Sequence, residues 1–398
     1  MKATQQQTKE YNRNLALKTI FDHTSISRAE IARITSLTRT TVSDIVNDLL
    51  AEGLVSEVGI GSSIGGKSPI LLSIADDSRW MIGLDLAQQQ FQGAVVNLRG
   101  KIRAKITLPV NDRNGADALT QVYEILDLLV VAAEGPLIGI GVGTPGLVNS
   151  REGVVVNAVN LDWKDLPLAQ LLQERYHLPV SILNDSQAAA MGEYVFGSGQ
   201  SPEGNLAVIN VRHGIGSGII INGQLFVGDG GGAGEIGHVV VVPEGGLPCR
   251  CGNHGCLETV ASAHALVKRA QALAASSADT QLPHNASEID LATVEWAYAS
   301  GDPLVQAMVL DTAHYMGMAI TGLIGILNIQ RIVLAGDMTC FGKPWLDAIQ
   351  ETIAQNTFSR LLQNTRVEIG QLGANTIILG ASATLASNYS LLFNCASL

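Results

Sequence analysis

The chain has little charge and few cysteines for its length. Of its 398 residues, 15% are charged, 46% are hydrophobic and only five are cysteine. Such a composition excludes extended disorder and implies a large buried core. At roughly 100–200 residues per domain, two or three domains are expected. The odd number of cysteines argues against a disulfide scaffold and favours a reducing cytoplasm.

The sequence also lacks a long uninterrupted apolar run. No stretch reaches the roughly 20 residues that a membrane span needs, and the closest, Met316 to Ile329, is short and rich in glycine. The first residues, Met1 to Glu10, are polar and charged, which argues against a signal peptide. We therefore expect a cytoplasmic protein without a membrane partner.

Negative charge predominates, but it is unevenly distributed. The formal net charge of −11 argues against a general nucleic-acid coat protein. Residues 1–80 contain nine Lys/Arg and nine Asp/Glu, so the rest of the chain carries the whole excess. If the chain binds DNA, we expect the N-terminal segment to do so through a few chosen contacts.

Three of the five cysteines lie within eight residues of one another, shortly after a histidine. One histidine and three cysteines form a closed tetrahedral set that suits structural zinc. The predicted ligands are His238, Cys249, Cys251 and Cys256. The alternative is a group of buried free cysteines in an apolar loop. Cys340 and Cys395 lie far from the cluster and are expected to be ordinary core or surface residues.

Helical periodicity and capping residues predict a helix-turn-helix near the N-terminus. A first helix is expected from Tyr11 to Asp22, after a frayed start. Ser27 opens the second helix with a capping-box glutamate three residues later, and Ile34 is expected to face inward. Thr38 can cap a third helix, which ends at Gly53.

Two further segments, Leu54–Gly59 and Lys67–Ile74, predict the strands of a wing. Residues 1–76 are therefore expected to form a winged helix-turn-helix whose third helix enters the major groove of DNA. The candidate DNA contacts on that helix are Thr38, Arg39, Thr40, Thr41 and Ser43, with Arg39 the best base reader. The alternative is a small helical domain for protein contacts.

From Trp80 onward, short buried strands alternate with helices, which is typical of an α/β fold. The predicted strands are Met81–Leu86, Phe91–Asn97, Lys101–Leu108, Leu137–Val142, Pro179–Leu183, Leu206–Val211, Gly218–Ile221 and Arg331–Ala335. The predicted helices are Ala116–Ala133, a helix through Ala188–Glu193, Thr321–Ile329, Trp345–Gln355 and a C-terminal helix after Thr376–Ala381.

The cysteine segment resembles the signature of the ROK family, named after repressors, open reading frames and sugar kinases. That signature is Glu-x-Gly-His, a gap, Cys-x-Cys-Gly, two residues and Gly-Cys-x-Glu. Here it is present as Glu235 to His238, Cys249 to Cys256 and Glu258. Gly65-Gly66-Lys67-Ser68-Pro69 similarly resembles the wing element of ROK repressors. Lys67 would enter a narrow minor groove, although a solvated charge at the wing tip is the alternative.

The resemblance implies a two-lobed actin-like (ribonuclease-H-like) sugar-kinase fold over residues 77–398. Its lobes are expected at about 77–198 and 199–398, and the C-terminal helix could return to the first lobe. ROK repressors are dimers or dimers of dimers. A sugar is expected in the cleft between the lobes, bound through Asn160, Asn184, Asp185, Glu235, His238 and Glu258. The alternative is that these polar residues only cap strands and helices.

The segments that resemble the ATP-binding motifs of ROK kinases depart from the family pattern. The Asp-x-Gly-x-Thr hairpin is replaced by Asp85 to Gln90, where Ala87 and Gln89 add bulk. The second phosphate loop contains Arg212 and His213 where small residues are usual. We therefore predict a sugar-responsive repressor that is not an enzyme. The alternatives are an active ATP-dependent sugar kinase with a fused DNA-binding domain, and a sensor that activates transcription or binds a partner protein.

Overall fold

The computed structural model describes residues 4–62, 68–111, 113–197, 204–388 and 392. Its internal contacts divide the chain into two compact units. The first unit comprises Met1–Val142, Leu168–Ser181 and Ser382–Leu398. The second unit comprises Gly143–Pro167 and Ile182–Ala381.

Helices and strands alternate along most of the chain. The helices are α1 (Gln5–Phe21), α2 (Arg28–Thr35), α3 (Arg39–Ala51), α4 (Gly115–Ala132), α5 (Leu168–Tyr176), α6 (Asp185–Val195), α7 (Glu258–Ala261), α8 (Ala263–Ser276), α9 (Leu291–Ala299), α10 (Pro303–Leu327), α11 (Gly342–Asn356), α12 (Ser359–Leu362) and α13 (Thr376–Ala386). The strands are β1 (Ile26–Ser27), β2 (Val55–Ile60), β3 (Ile70–Ile74), β4 (Trp80–Leu86), β5 (Gln90–Asn97), β6 (Ile102–Pro109), β7 (Leu137–Thr144), β8 (Leu147–Asn149), β9 (Val154–Ala158), β10 (Trp163–Leu166), β11 (Val180–Asn184), β12 (Leu206–Val211), β13 (Ile215–Ile221), β14 (Gln224–Phe226), β15 (Arg331–Ala335) and β16 (Arg366–Ile369).

The N-terminal part folds as helices α1 to α3 followed by the antiparallel hairpin β2–β3, and β1 pairs with the outer side of β3. Ser27 forms the predicted capping box of α2, and the Thr38 hydroxyl accepts the backbone N–H of Thr41 at the start of α3. Two details of the prediction were wrong. Helix α1 begins at Gln5 because Thr4 forms a capping box with Gln7, and Ile34 is 50% exposed.

Within the described residues, two five-stranded sheets have the same topology. The strand orders are β6-β5-β4-β7-β11 and β14-β13-β12-β15-β16. In both sheets the first three strands in the chain form an antiparallel meander. The next strand lies beside the first strand of the meander, and the last strand lies at the edge beside that one. This repeated α/β order agrees with the predicted actin-like fold.

Helix α10 is long and apolar enough to cross a membrane by length and composition alone. Its buried side chains, among them Val309, Met316 and Ile320, belong to the hydrophobic core of the second unit, so it packs as a core helix. The sequence prediction placed its start too late. Asp302 caps it by accepting the N–H groups of Leu304 and Val305, and proline fits the first turn.

Candidate functional site

The structure brings the four predicted metal ligands together. One donor atom from each of His238, Cys249, Cys251 and Cys256 lies within 4.8 Å of the others. His238 Nδ1 is 3.5 Å from Cys249 Sγ, and Cys251 Sγ is 3.7 Å from Cys256 Sγ. Tetrahedral zinc with the usual bond lengths would separate nitrogen and sulfur by about 3.5 Å and two sulfurs by about 3.8 Å. These two pairs already have tetrahedral separations, and the remaining donors, all within 4.8 Å of one another, need to move by only about 1 Å to bind one zinc ion.

The chemistry of the cysteines also suits a bound cation. Burial raises the pKa of Cys256 to about 12, and hydrogen bonds to the other two thiols add to the increase. The thiol therefore keeps its proton at neutral pH unless a metal ion replaces it. None of these three cysteines is in a disulfide.

The backbone of the loop is built for this clustering. Gly252 and Gly255 have φ angles of +95° and +71°, which only glycine adopts without strain. A side chain at Gly255 would also collide with the carbonyl oxygen of Val242, because an added Cβ would lie 1.9 Å away. Val240 and Cys256 pair as a short antiparallel bridge. The two glycines therefore allow the loop to fold back on itself.

His238 links the cysteine cluster to a candidate sugar contact. While its Nδ1 faces Cys249, its Nε2 lies 3.7 Å from a carboxylate oxygen of Glu235. A carboxylate on the second nitrogen fixes the orientation of a ligating imidazole. A metal at the cluster would therefore also hold Glu235 in position.

Asn184 and Asp185 lie at the junction of β11 and α6. The Asn184 side chain caps α6 by accepting the Ser186 N–H at 2.9 Å, and its amide donates to the carbonyl oxygen of Gly146 at 2.8 Å. Asn184 therefore has a capping role, which was the alternative to sugar binding, and retains one amide hydrogen for a ligand. Burial raises the pKa of Asp185 despite the opposing charge of Arg212.

Glu258 and Asn160 are joined by a residue that the sequence did not single out. One oxygen of Glu258 accepts the N–H of Ile215 at 3.0 Å, and the other lies 3.5 Å from the guanidinium of Arg250. Arg250 also donates to the Asn160 side chain at 3.2 Å. Since arginine only donates, the amide atom facing it is the oxygen, and the Asn160 NH₂ group stays available to a ligand. Nothing local in the sequence indicates this contact, which spans 90 residues.

The carboxylates of Asp185, Glu235 and Glu258 lie within electrostatic range of one another, because the charge of Glu258 raises the pKa of Asp185, and the charges of Asp185 and Glu258 both raise the pKa of Glu235. All the predicted sugar contacts belong to the second unit. Several carboxylates and amides facing one region suit a polyol, whose hydroxyl groups both donate and accept hydrogen bonds.

The β12–β13 turn carries bulky side chains. Arg212 Nε lies 3.7 Å from Asp337, and the His213 ring packs against the His264 ring at an angle of 39°, with 4.4 Å between centroids. Burial, reinforced by the charges of His264 and Arg250, lowers the pKa of His213 to about 4, so the ring is neutral at pH 7.

The candidate DNA contacts lie at the start of α3. Thr38, Arg39 and Thr40 are exposed, and Thr41 and Ser43 are partly exposed. The hydroxyl groups of Thr38 and Thr41 lie 2.8 Å apart and contact each other at the cap. Lys67 lies outside the described residues.

Comparisons with known proteins place the chain among repressors and kinases. The ROK family profile matches residues 81–388. A xylose repressor from Caldicellulosiruptor bescii is 32% identical over 388 residues, which cover 96% of each chain. A glucokinase from Halalkalibacterium halodurans is 33% identical over 309 residues, which cover 76% of this chain and 93% of that one. The crystal structure of a ROK family transcriptional regulator, described as a homolog of the E. coli MLC protein, has a TM-score of 0.83 at 26% identity and covers 97% of this chain and 98% of that one. The chain belongs to the ROK family.

Proposed function

We propose that this chain is a sugar-responsive transcriptional repressor. Its N-terminal helix-turn-helix and wing bind operator DNA, and a sugar bound in the second unit releases it. The observation that carries this proposal is the presence of both parts in one chain. Helices α2 and α3 form a capped helix-turn-helix pair, and the second unit contains the cluster of carboxylates and amides around Glu258.

The share of this chain that each similar protein covers supports the same conclusion. The xylose repressor covers 96% of this chain, whereas the glucokinase covers 76%. The family profile begins at residue 81, after α1 to β3. A chain that matches a repressor over nearly its whole length therefore carries the N-terminal region expected of one. The candidate effectors are glucose, xylose, N-acetylglucosamine and oligosaccharides.

A structural zinc ion is part of this proposal. His238, Cys249, Cys251 and Cys256 would hold the ion, and the His238–Glu235 contact would connect it to the sugar site. The ion would supply folding energy to the loop rather than chemistry to a reaction. The proposed location is the cytoplasm, where cysteine thiols remain reduced.

We further infer that the protein binds DNA as a homodimer, because helix-turn-helix proteins generally read two half-sites related by a two-fold axis. Helix α10 offers a candidate contact surface. Leu310, Met318 and Ile326 are 41%, 42% and 83% exposed on it, respectively. Exposed apolar side chains on one helix can be covered by a second subunit.

Arg39→Ala is expected to weaken operator binding by about 1–3 kcal/mol and to relax the preference at one base pair, if Arg39 reads a base edge. The operator duplex is first obtained by selection from a random library. Gel shift with this duplex and its single base-pair variants then measures the affinity and the base preference. Arg151→Ala removes the same charge from an exposed position of the second unit and serves as the control. Wild-type affinity and base preference in Arg39→Ala would show that the recognition-helix assignment is wrong.

The protein is expected not to phosphorylate sugars. The segments that resemble the two phosphate loops of the kinases carry bulky side chains. In the second, Arg212 pairs with Asp337 and His213 packs against His264, and in the first, Ala87 and Gln89 replace smaller residues. A coupled ADP-release assay with ATP and a panel of hexoses should give no turnover above that of Asp185→Ala. Sugar-dependent turnover that Asp185→Ala abolishes would favour the kinase alternative.

A further inference from the structure

An arginine on the β5–β6 turn binds the end of the first N-terminal helix. The Arg99 guanidinium donates to the carbonyl oxygen of Phe21, the last residue of α1, and to that of His23 at 3.0 Å. It also lies over the Phe21 ring, 5.2 Å from the centroid. The last carbonyl groups of a helix have no partner within the helix and carry partial negative charge. A guanidinium that donates to two carbonyls at this end is therefore a specific contact.

The turn that carries Arg99 is itself held rigidly. The buried Asn97 side chain accepts the N–H groups of Arg99 at 3.0 Å and Lys101 at 2.9 Å. Its amide donates to the Asp77 carboxylate at 2.7 Å. Because Asn97 is only 2% exposed, these hydrogen bonds are shielded from water, and they hold the backbone of Arg99 against the sheet.

The segment between β3 and β4 is fixed on both sides. The N–H of Ala75 donates to the carbonyl oxygen of Leu54 at 2.9 Å. The carbonyl oxygen of Asp76 accepts the N–H of Leu98 at 3.1 Å. Asp76 also pairs with the Arg99 guanidinium at 3.5 Å. Residues 4–62 and the sheet strands β4 to β6 accordingly fall in the same compact unit. The helix-turn-helix is thus anchored to the first sheet and is not attached by a free linker.

We propose that Arg99 couples sugar binding to the DNA-binding helices. A displacement of the β5–β6 turn on sugar binding would reach these helices through the contacts of Arg99 at the end of α1, and so change the operator affinity. The proposal rests on the proposed function of the chain as a sugar-released repressor. Arg99 acts through α1 and touches neither DNA nor sugar, so it is a positioning residue.

The test measures coupling rather than binding alone. The sugar used is the one of D-xylose, D-glucose and N-acetylglucosamine that raises the melting temperature of the protein most. Operator affinity is then determined with and without a saturating concentration of this sugar. The coupling factor is the ratio of the two operator dissociation constants. In Arg99→Ala this factor should fall at least fivefold relative to wild type, while the sugar dissociation constant and the zinc content stay unchanged. Arg99→Lys, which keeps the charge but cannot donate to both carbonyls from a planar fork, should be intermediate.

Arg103→Ala is the matched control. Arg103 lies on the adjacent strand β6 and pairs with Glu134, and both side chains are largely exposed. Its removal changes the net charge equally without touching α1, so its coupling factor should stay at the wild-type value. A wild-type coupling factor in Arg99→Ala, or an equal loss in Arg103→Ala, would overturn the proposal.

Hydrogen exchange of the wild-type protein keeps the proposal testable even if Arg99→Ala does not fold. Sugar should change the exchange rates of the amides of residues 19–23 and 97–101 together. A sugar that releases operator without changing the exchange of residues 19–23 would contradict the proposed route. If sugar binds to the wild type without any effect on operator affinity, the proposed function itself fails, which is a separate and distinguishable result.

Discussion

The Cys251→Ser protein is expected to lose most of its zinc and much of its soluble yield. Cys251 is exposed, whereas Cys256 is buried, so serine at position 251 disturbs packing little and the effect can be attributed to the metal. Three remaining ligands hold the ion less tightly, and the free energy of metal binding contributes to folding. Atomic absorption of the wild type should give about one zinc per chain, and Cys251→Ser should give less than roughly a third of this amount.

The control for this change is Cys340→Ser, which alters another exposed cysteine outside the cluster. It should keep the zinc content and melting temperature of the wild type. Purified wild-type protein that is folded and stable but contains no zinc would falsify the structural role of the metal. Full zinc retention in Cys251→Ser would exclude that residue as a ligand.

Glu258→Gln is expected to shift the response to sugar to much higher sugar concentrations while leaving operator binding intact. The glutamine oxygen can still accept the N–H of Ile215, which the Glu258 carboxylate accepts at 3.0 Å, so the backbone around the site keeps its hydrogen bond. Sugar hydroxyl groups lose a charged acceptor, and such hydrogen bonds contribute about 1.5–3 kcal/mol. The sugar dissociation constant should therefore rise roughly 10- to 100-fold. Calorimetry with the effector sugar and gel shift with the operator measure the two properties separately.

Glu244→Gln provides the matched control, because Glu244 is an exposed acid of the same loop region. It should bind sugar and operator as the wild type does. Release of operator from Glu258→Gln at the wild-type sugar concentration would show that the region around Glu258 is not the effector site.

Features set by neighbouring residues in the chain could be predicted from the sequence. The capping box of Ser27 and Glu30 fixed the start of α2, and Thr38 fixed the start of α3, because a cap depends on side chains only three residues apart. The clustering of the cysteines with His238 was predictable for a similar reason, since the short loop has few ways to close. The α/β strands were recognisable from their buried apolar runs.

Contacts between distant residues could not be predicted in this way. The hydrogen bond from Arg250 to Asn160 connects residues that are 90 positions apart in the chain. The hydrogen bonds from Arg99 to the end of α1 connect residues that are more than 70 positions apart. An exposed-looking arginine gives no local sign of its partner. The role of Asn184 was equally hidden, because an asparagine before a helix can cap it or bind a ligand. Only the hydrogen bond from the Ser186 N–H to its side-chain oxygen shows that it caps.

The most direct test of the account is the fluorescence anisotropy of a labelled operator duplex, selected from a random library, titrated with the wild-type protein. The titration is repeated with a scrambled duplex and with each sugar that raises the melting temperature of the protein. We expect affinity for the operator to exceed that for the scrambled duplex by a factor of about 10³ or more, and at least one stabilising sugar to weaken operator binding at least tenfold. Equal affinity for both duplexes, or operator binding that no stabilising sugar changes, would contradict the account.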